Sequence, residues 1–200
     1  METEEKKRTN STKEIFDWLE VIISSVLIVV VLFTFVFRVV NIEGESMTDT
    51  LQDSERVIIS NLFYTPKQGD IVVVSRNTLN SPDKSSYKTP IIKRVIAVAG
   101  QTVDIQNGCV YVDGRALDEP YIRNYAVNKH STYQYGEYLN ATTFPLTVKE
   151  NCVFVLGDNR MNSLDSRSND IGTGGQINIK YILGKAMFRI FPINKFGTIY

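Results

Sequence analysis

The sequence has one histidine, two cysteines and no excess of charge of either sign. Because Lys and Arg together equal Asp and Glu in number, no basic field argues for nucleic-acid binding. Cys109 and Cys152 lack the spacing of metal ligands, so the sequence predicts neither a metal site nor a cofactor. Both lie in apolar, strand-like runs, where two buried thiols are favoured and a disulfide stays open. The chain also lacks a glycine-rich phosphate loop and internal repeats.

The scarcity of histidine bears directly on catalysis. A Ser-His-Asp triad would depend on His130, which lies in a tyrosine-rich stretch where a surface role is more typical. A serine nucleophile without histidine needs another base, and a lysine serves if its amine is neutral.

An uncharged stretch, residues 21–37, lies near the N-terminus. With its apolar flanks it is long enough to cross a hydrocarbon core of ~30 Å. The sequence therefore predicts a transmembrane anchor over residues 19–40. Lys6, Lys7, Arg8 and Lys13 precede the span, so the positive-inside rule predicts that residues 1–18 lie in the cytoplasm and residues 41–200 outside. The alternatives are a cleavable signal peptide, for which the run is too long and lacks a small-x-small exit, and a buried core helix.

Residues 41–200 are predicted to form one mainly β domain of packed antiparallel sheets. Short runs rich in Val, Ile, Phe and Tyr alternate with Gly, Asn, Asp and Pro. Asn107-Gly108 signals a hairpin, and residues 181–191 form a long last strand with a bend at Gly184. The hairpin and a tyrosine-rich insertion occupy 105–150 and form an inserted cap region, while 77–90 look like a flexible tip.

A polar run, residues 157–167, directly follows an apolar strand. Its carboxylates, Asp158 and Asp165, can pair with Arg160 and Arg167 in the same run. Because buried polar groups must find partners, such a run is expected to support a catalytic residue from behind. The alternative is a solvated loop with incidental charges.

Lys93 and Ser46 are the candidate base and nucleophile. Lys93 is flanked by isoleucines and valine in a strand-like run, and burial would lower its pKa from about 10.4 by several units. Alternation alone does not decide whether Lys93 faces the core or solvent. Ser46 follows Gly44, which allows close approach of a second backbone, and N–H groups near Ser46 could bind an oxyanion.

Together these segments resemble the bacterial type I signal peptidases, which use a Ser-Lys dyad, and the single span resembles the compact Gram-positive branch. The resemblance runs through almost the whole chain in order. It is carried by these segments: the anchor, Glu45-Ser46-Met47-x-x-Thr50-Leu51, Gly69-Asp70-Ile71-Val72, Lys93-Arg94-Val95-Ile96-Ala97 and the polar run Gly157 to Arg167.

The resemblance implies a role for each residue. Lys93 would take the proton of Ser46, and Ser163 would orient the Lys93 amine. Two ion pairs would fix the polar run: Asp165 with Arg167, and Asp158 with Arg94. Substrate would bind as an added strand. Shallow apolar pockets for small residues would be lined by Ile42, Met47 and Ile92.

Two departures from the family pattern concern the nucleophile segment. Asp49 stands where proline is usual, and Gly44 lacks the hydroxyl that some relatives place two residues before the nucleophile. The oxyanion site is therefore expected to rest on the backbone N–H of Ser46, with Gly44 beside it.

The expected partners are preprotein signal peptides and the lipid bilayer, with the secretion translocon as a candidate. Two rival interpretations remain. One is a repressor-type Ser-Lys autoprotease, which would carry a DNA-binding domain where this chain has its apolar span. The other is a catalytically silent, membrane-anchored relative that assists assembly of surface structures.

Overall fold

The structure, a computed structural model, describes residues 2–48, 50–78, 90–122, 132 and 141–199. It divides into two compact units, Met1–Arg38 and Val39–Tyr200. Asp49, His130 and most of the 77–90 tip and of the tyrosine-rich insertion lie outside the described residues.

The first unit is dominated by a single helix, α1, at Glu2–Phe35. Within it, Lys13–Thr34 is long and apolar enough to cross a membrane, by length and composition. The helix differs from the predicted span of 19–40 at both ends. It starts earlier because Glu and Lys, which favour helix, fill its first turns. It ends earlier because the β-branched residues Val39 and Val40 lie in a strand.

The second unit is mainly β, which confirms the predicted fold class. Two sheets contain its strands. The eight-stranded sheet has the order β1-β2-β11-β3-β4-β9-β10, with β12 paired to β11, and the four-stranded sheet has the order β7-β6-β5-β8. The strands are β1 Phe37–Asn41, β2 Arg56–Ser60, β3 Ile71–Val74, β4 Ile91–Val98, β5 Thr102–Gln106, β6 Cys109–Val112, β7 Arg115–Ala116, β8 Leu146–Thr147, β9 Cys152–Leu156, β10 Ile177–Asn178, β11 Ile182–Phe191 and β12 Gly197–Thr198. Three short 3-10 helices lie at Arg76–Thr78, Ile179–Tyr181 and Ile193–Lys195.

Two local features of the sheets correspond to signals in the sequence. Asn107 and Gly108 both have positive φ and join β5 to β6, as the hairpin signal predicts. In β11 the register against β3 shifts between Ile182 and Gly184, at the position where the sequence predicts a bend. Cys109 and Cys152 are both partly exposed and are not joined by a disulfide.

Strand β4 lies inside the large sheet, between β3 and β9. Its six inner residues are all buried, so both of its faces are covered. One face adjoins an apolar cluster that includes Ile42, Met47 and Ile92. A second apolar cluster, which includes Ile96, Val103 and Phe154, draws residues from both sheets. A polar side chain on β4 must therefore find partners inside the protein.

Candidate active site

The structure brings Ser46 and Lys93 together. Ser46 lies in a turn after β1, and Lys93 lies on β4 with only 3% of its surface exposed. The Lys93 amine donates to Ser46 Oγ at 2.6 Å and to the carbonyl oxygen of Ile92 at 3.0 Å. Sequence alternation left the direction of Lys93 open, and the structure directs it inward.

Burial changes the acidity of the Lys93 amine. Removal from water disfavours the ammonium form and lowers the pKa of Lys93 from 10.5 to about 8, although the negative charges of Asp165 and Asp158 oppose this effect. Near neutral pH, a useful fraction of the amine is therefore uncharged. A neutral amine at hydrogen-bond distance from a hydroxyl can act as a general base.

Two buried ion pairs hold the polar run behind this pair. Arg94 binds Asp158 through two nitrogens, at 2.9 and 2.7 Å, and Arg167 binds Asp165 at 2.8 and 2.9 Å. Both pairs were expected from the resemblance. Burial alone would raise the pKa of Asp165, but the Arg167 guanidinium, the Gly157 N–H and the Lys93 amine together hold that pKa below its usual range.

The partner of Arg160 is not one of the two aspartates of the polar run, Asp158 and Asp165, as the sequence suggested. Its guanidinium binds Glu119, and both side chains are buried. It does not pair with Asp158, because Asp158 already faces Arg94. Beside Glu119, the ring of Tyr121 lies 3.8 Å from the Arg94 guanidinium, a cation–π contact.

The polar run also contacts the nucleophile segment. The Asn159 N–H donates to the Ser46 carbonyl at 3.1 Å, and the Thr50 hydroxyl donates to Asp158. Gly157 is needed for this approach: a Cβ there would lie 2.5 Å from the Ser46 carbonyl oxygen and 2.2 Å from Ser163 Oγ. Ser163 is buried behind Gly157, and its role in orienting the amine stays a prediction.

The N–H groups near Ser46 are not equivalent. The Gly44 N–H donates to Asp53 Oδ1 at 2.8 Å, so the geometry does not support Gly44 as an oxyanion donor. The Ser46 N–H donates to none of the described residues. Ser46 is therefore the better-placed oxyanion donor.

A cavity of about 360 Å³ opens at Ser46 and Lys93. Its walls include Ile42, Met47 and Ile92, the three residues expected to form pockets for small apolar side chains. Glu45 and Asn162 add polar groups to its lining. Across the described residues, no cluster of three His, Cys, Asp or Glu side chains could hold a metal ion.

Sequence reasoning missed several residues of this site. Glu119 and Tyr121 lie in the predicted insertion, far along the chain from the arginines that they contact. Thr50 and Asn159 belong to quoted motifs but received no role. The motif residues could have drawn attention by their position, whereas Glu119 carries no local signal.

Comparison with known proteins identifies the family. A family model described as "Signal peptidase, peptidase S26" matches residues 15–191. A signal peptidase I of Bacillus amyloliquefaciens is 35% identical over 194 residues, which cover 96% of each chain. The chain belongs to the signal peptidase I family. As a member of this family, it is a serine peptidase.

A second Bacillus relative agrees with this assignment. The signal peptidase I S of Bacillus subtilis strain 168 is 32% identical over 193 residues, covering 94% of this chain and 96% of the relative. A crystal structure of a signal peptidase I from Enterococcus faecalis is 26% identical, with a TM-score of 0.42, and covers 61% of this chain and 97% of its own.

Proposed function

We propose that this signal peptidase is a membrane-anchored endopeptidase that removes N-terminal signal peptides from preproteins with a Ser46–Lys93 dyad. One observation carries the proposal: the buried Lys93 amine lies 2.6 Å from Ser46 Oγ. The lowered pKa of that amine supports its role as the base.

In the proposed reaction, Lys93 carries a proton in each step in which a bond to the substrate carbonyl forms or breaks. The neutral Lys93 amine takes the Ser46 proton as Ser46 Oγ attacks the scissile carbonyl carbon. The C–N bond then breaks, and the leaving amine of the mature protein takes the proton from Lys93. Lys93 then deprotonates a water molecule that attacks the carbonyl carbon of the acyl ester, and it returns this proton to Ser46 Oγ as the ester bond breaks and the signal peptide leaves. The Ser46 N–H binds the oxyanion that forms during acylation and again during deacylation.

Substrate selection follows from the cavity walls. Ile42, Met47 and Ile92 offer an apolar lining of limited volume next to the dyad. Small side chains at the first and third positions before the cut would fill it, and the substrate would lie extended beside a strand. Larger side chains would be excluded by the close-packed residues around the cavity.

The apolar segment Lys13–Thr34 supports an anchoring role. Basic residues precede it, so the tail 1–18 would face the cytoplasm and the domain 41–200 the outside. The bilayer is then a partner, and the translocon a candidate one. Protease added outside intact spheroplasts should degrade the domain and spare the tail.

The decisive assay is cleavage of a preprotein carrying an Ala-x-Ala site by the detergent-solubilised full chain, with the cut located by mass. Ser46→Ala and Lys93→Ala should each abolish cleavage. Lys93→Arg should also fail, because a guanidinium keeps its proton at working pH. Lys149→Ala, which removes an exposed lysine, is the matched control and should cleave normally.

The alternative, a catalytically silent assembly factor, predicts no cleavage by the unmodified chain. Its best sequence support, Asp49, lies outside the described residues. A folded, unmodified protein that leaves the Ala-x-Ala preprotein intact would favour this alternative over the proposed peptidase.

A further inference from the structure

The peptide group that joins Glu45 to Ser46 has an unusual concentration of donors at one end. The Glu45 carbonyl oxygen accepts from the Thr48 N–H at 3.1 Å, from the Thr48 hydroxyl, and from the Asn159 side-chain amide at 3.0 Å. At the other end of the same group is the Ser46 N–H, which donates to none of the described residues, and Ser46 itself lines the cavity.

The two ends of a peptide group act as a unit. Resonance keeps its atoms close to one plane, so fixing the carbonyl oxygen also fixes the direction of the N–H. Donors at the oxygen draw electron density toward it, which strengthens the N–H as a donor, by ~10–30% per bond in condensed-phase estimates. An oxyanion donor gains most from being aimed before the reaction begins.

We propose that Asn159 and Thr48 are positioning residues for the oxyanion site, acting on the Ser46 N–H through the Glu45 carbonyl. The proposal deepens the Ser46–Lys93 mechanism and rests on it. Neither Thr48 nor Asn159 lines the cavity at Ser46 and Lys93. Their effect should appear when negative charge develops on the substrate carbonyl oxygen, and not when the substrate binds.

Asn162 provides a matched control. Its amide also bonds to Glu45, but to the carboxylate Oε2, at 3.2 Å, and not to the peptide carbonyl. Asn159→Ala and Asn162→Ala thus each remove one hydrogen bond from a side-chain amide to Glu45. Only the first of these hydrogen bonds ends on the Glu45–Ser46 peptide group. Thr48→Val removes the hydroxyl donor, while Thr48→Ser retains it.

The test uses the full chain in detergent with an Ala-x-Ala peptide and a peptide aldehyde ending in alanine, whose adduct with Ser46 mimics the oxyanion. Asn159→Ala should lower kcat by roughly 3- to 10-fold, the range for loss of one neutral hydrogen bond. Its KM should stay within about twofold, and aldehyde affinity should fall in parallel with kcat. Thr48→Val should behave likewise, and Thr48→Ser should match the unmodified enzyme.

Asn162→Ala should mainly raise KM, since Asn162 lines the cavity. An equal loss of kcat in Asn162→Ala and Asn159→Ala would overturn the proposal, as would a change confined to KM in Asn159→Ala. If Asn159→Ala does not fold, the Thr48→Val and Thr48→Ser pair decides, and equal rates for the two would refute the idea. Full activity of Ser46→Ala would instead refute the dyad itself.

Discussion

The pH dependence of cleavage tests the environment of Lys93 directly. Only the neutral amine can take the Ser46 proton, so below its pKa the rate follows the neutral fraction. With the pKa of Lys93 lowered to about 8, about 9% of the amine is neutral at pH 7. With an ordinary lysine pKa of 10.5, the neutral fraction would be about 0.03%. Burial therefore enriches the active form nearly 300-fold at neutral pH.

The expected profile has a definite shape. Between pH 6 and 9, kcat/KM should rise by about 90-fold, with its midpoint near 8, and then level off. The assay is initial-rate cleavage of a fluorogenic Ala-x-Ala peptide in a constant-ionic-strength buffer series. A midpoint above pH 10, or a flat profile from 6 to 9, would refute the argument that burial prepares the base.

Stability gives an independent measure of the same pKa. Because the folded state disfavours the ammonium form, the unfolded chain binds more protons between pH 8 and 10.5, so stability should rise with pH in that window. Comparison with Lys93→Met cancels the other titrating groups. Between pH 7 and 9 the unmodified chain should gain about 1 kcal/mol of unfolding free energy relative to that variant. An equal pH response of the two proteins would contradict the lowered pKa.

Three further changes test the surroundings of the dyad. Gly157→Ala should remove most activity, because its Cβ would lie 2.5 Å from the Ser46 carbonyl oxygen. Normal cleavage by this variant would show that the polar run can shift away from Ser46 without loss of activity. Glu119→Ala should destabilise the domain by about 3–5 kcal/mol in denaturant unfolding, since it leaves the Arg160 charge buried without its partner; a loss under 1 kcal/mol would mean that water reaches Arg160. Ser163→Ala should slow cleavage by about 10- to 100-fold, while an acylating β-lactam-type inhibitor should still label Ser46. A label found on Ser163 in the unmodified chain would identify Ser163, and not Ser46, as the nucleophile.

Part of the site could be predicted because its residues lie in compact motifs. The polar run stands out by its composition, whereas Ser46 and Lys93 stand out through the order of motifs that resembles the family. The resemblance, together with charge complementarity, also paired Arg94 with Asp158. Arg160 shows the limit. Two carboxylates lie near it in sequence, yet its partner is Glu119, because chain proximity does not tell which groups fold onto one another.

The direction of Lys93 was beyond sequence reasoning for a different reason. Period-two alternation assigns faces only when one face of a strand is wet, and β4 is buried on both. The C-terminal end of the predicted anchor is a second case. Residues 36–40 are apolar except for Arg38, so composition extends the anchor over them, whereas in the structure Phe37–Asn41 forms strand β1, which pairs with β2.

Strand β4 carries the base and the main supporting arginine on adjacent residues. Successive side chains of a strand point to opposite faces, so Lys93 reaches Ser46 from one face and Arg94 reaches Asp158 from the other. Loss or gain of a single residue upstream within β4 would exchange these faces and present a guanidinium, which cannot give up its proton, to the serine. We therefore expect this strand to tolerate many apolar substitutions in evolution but no change of length before Lys93.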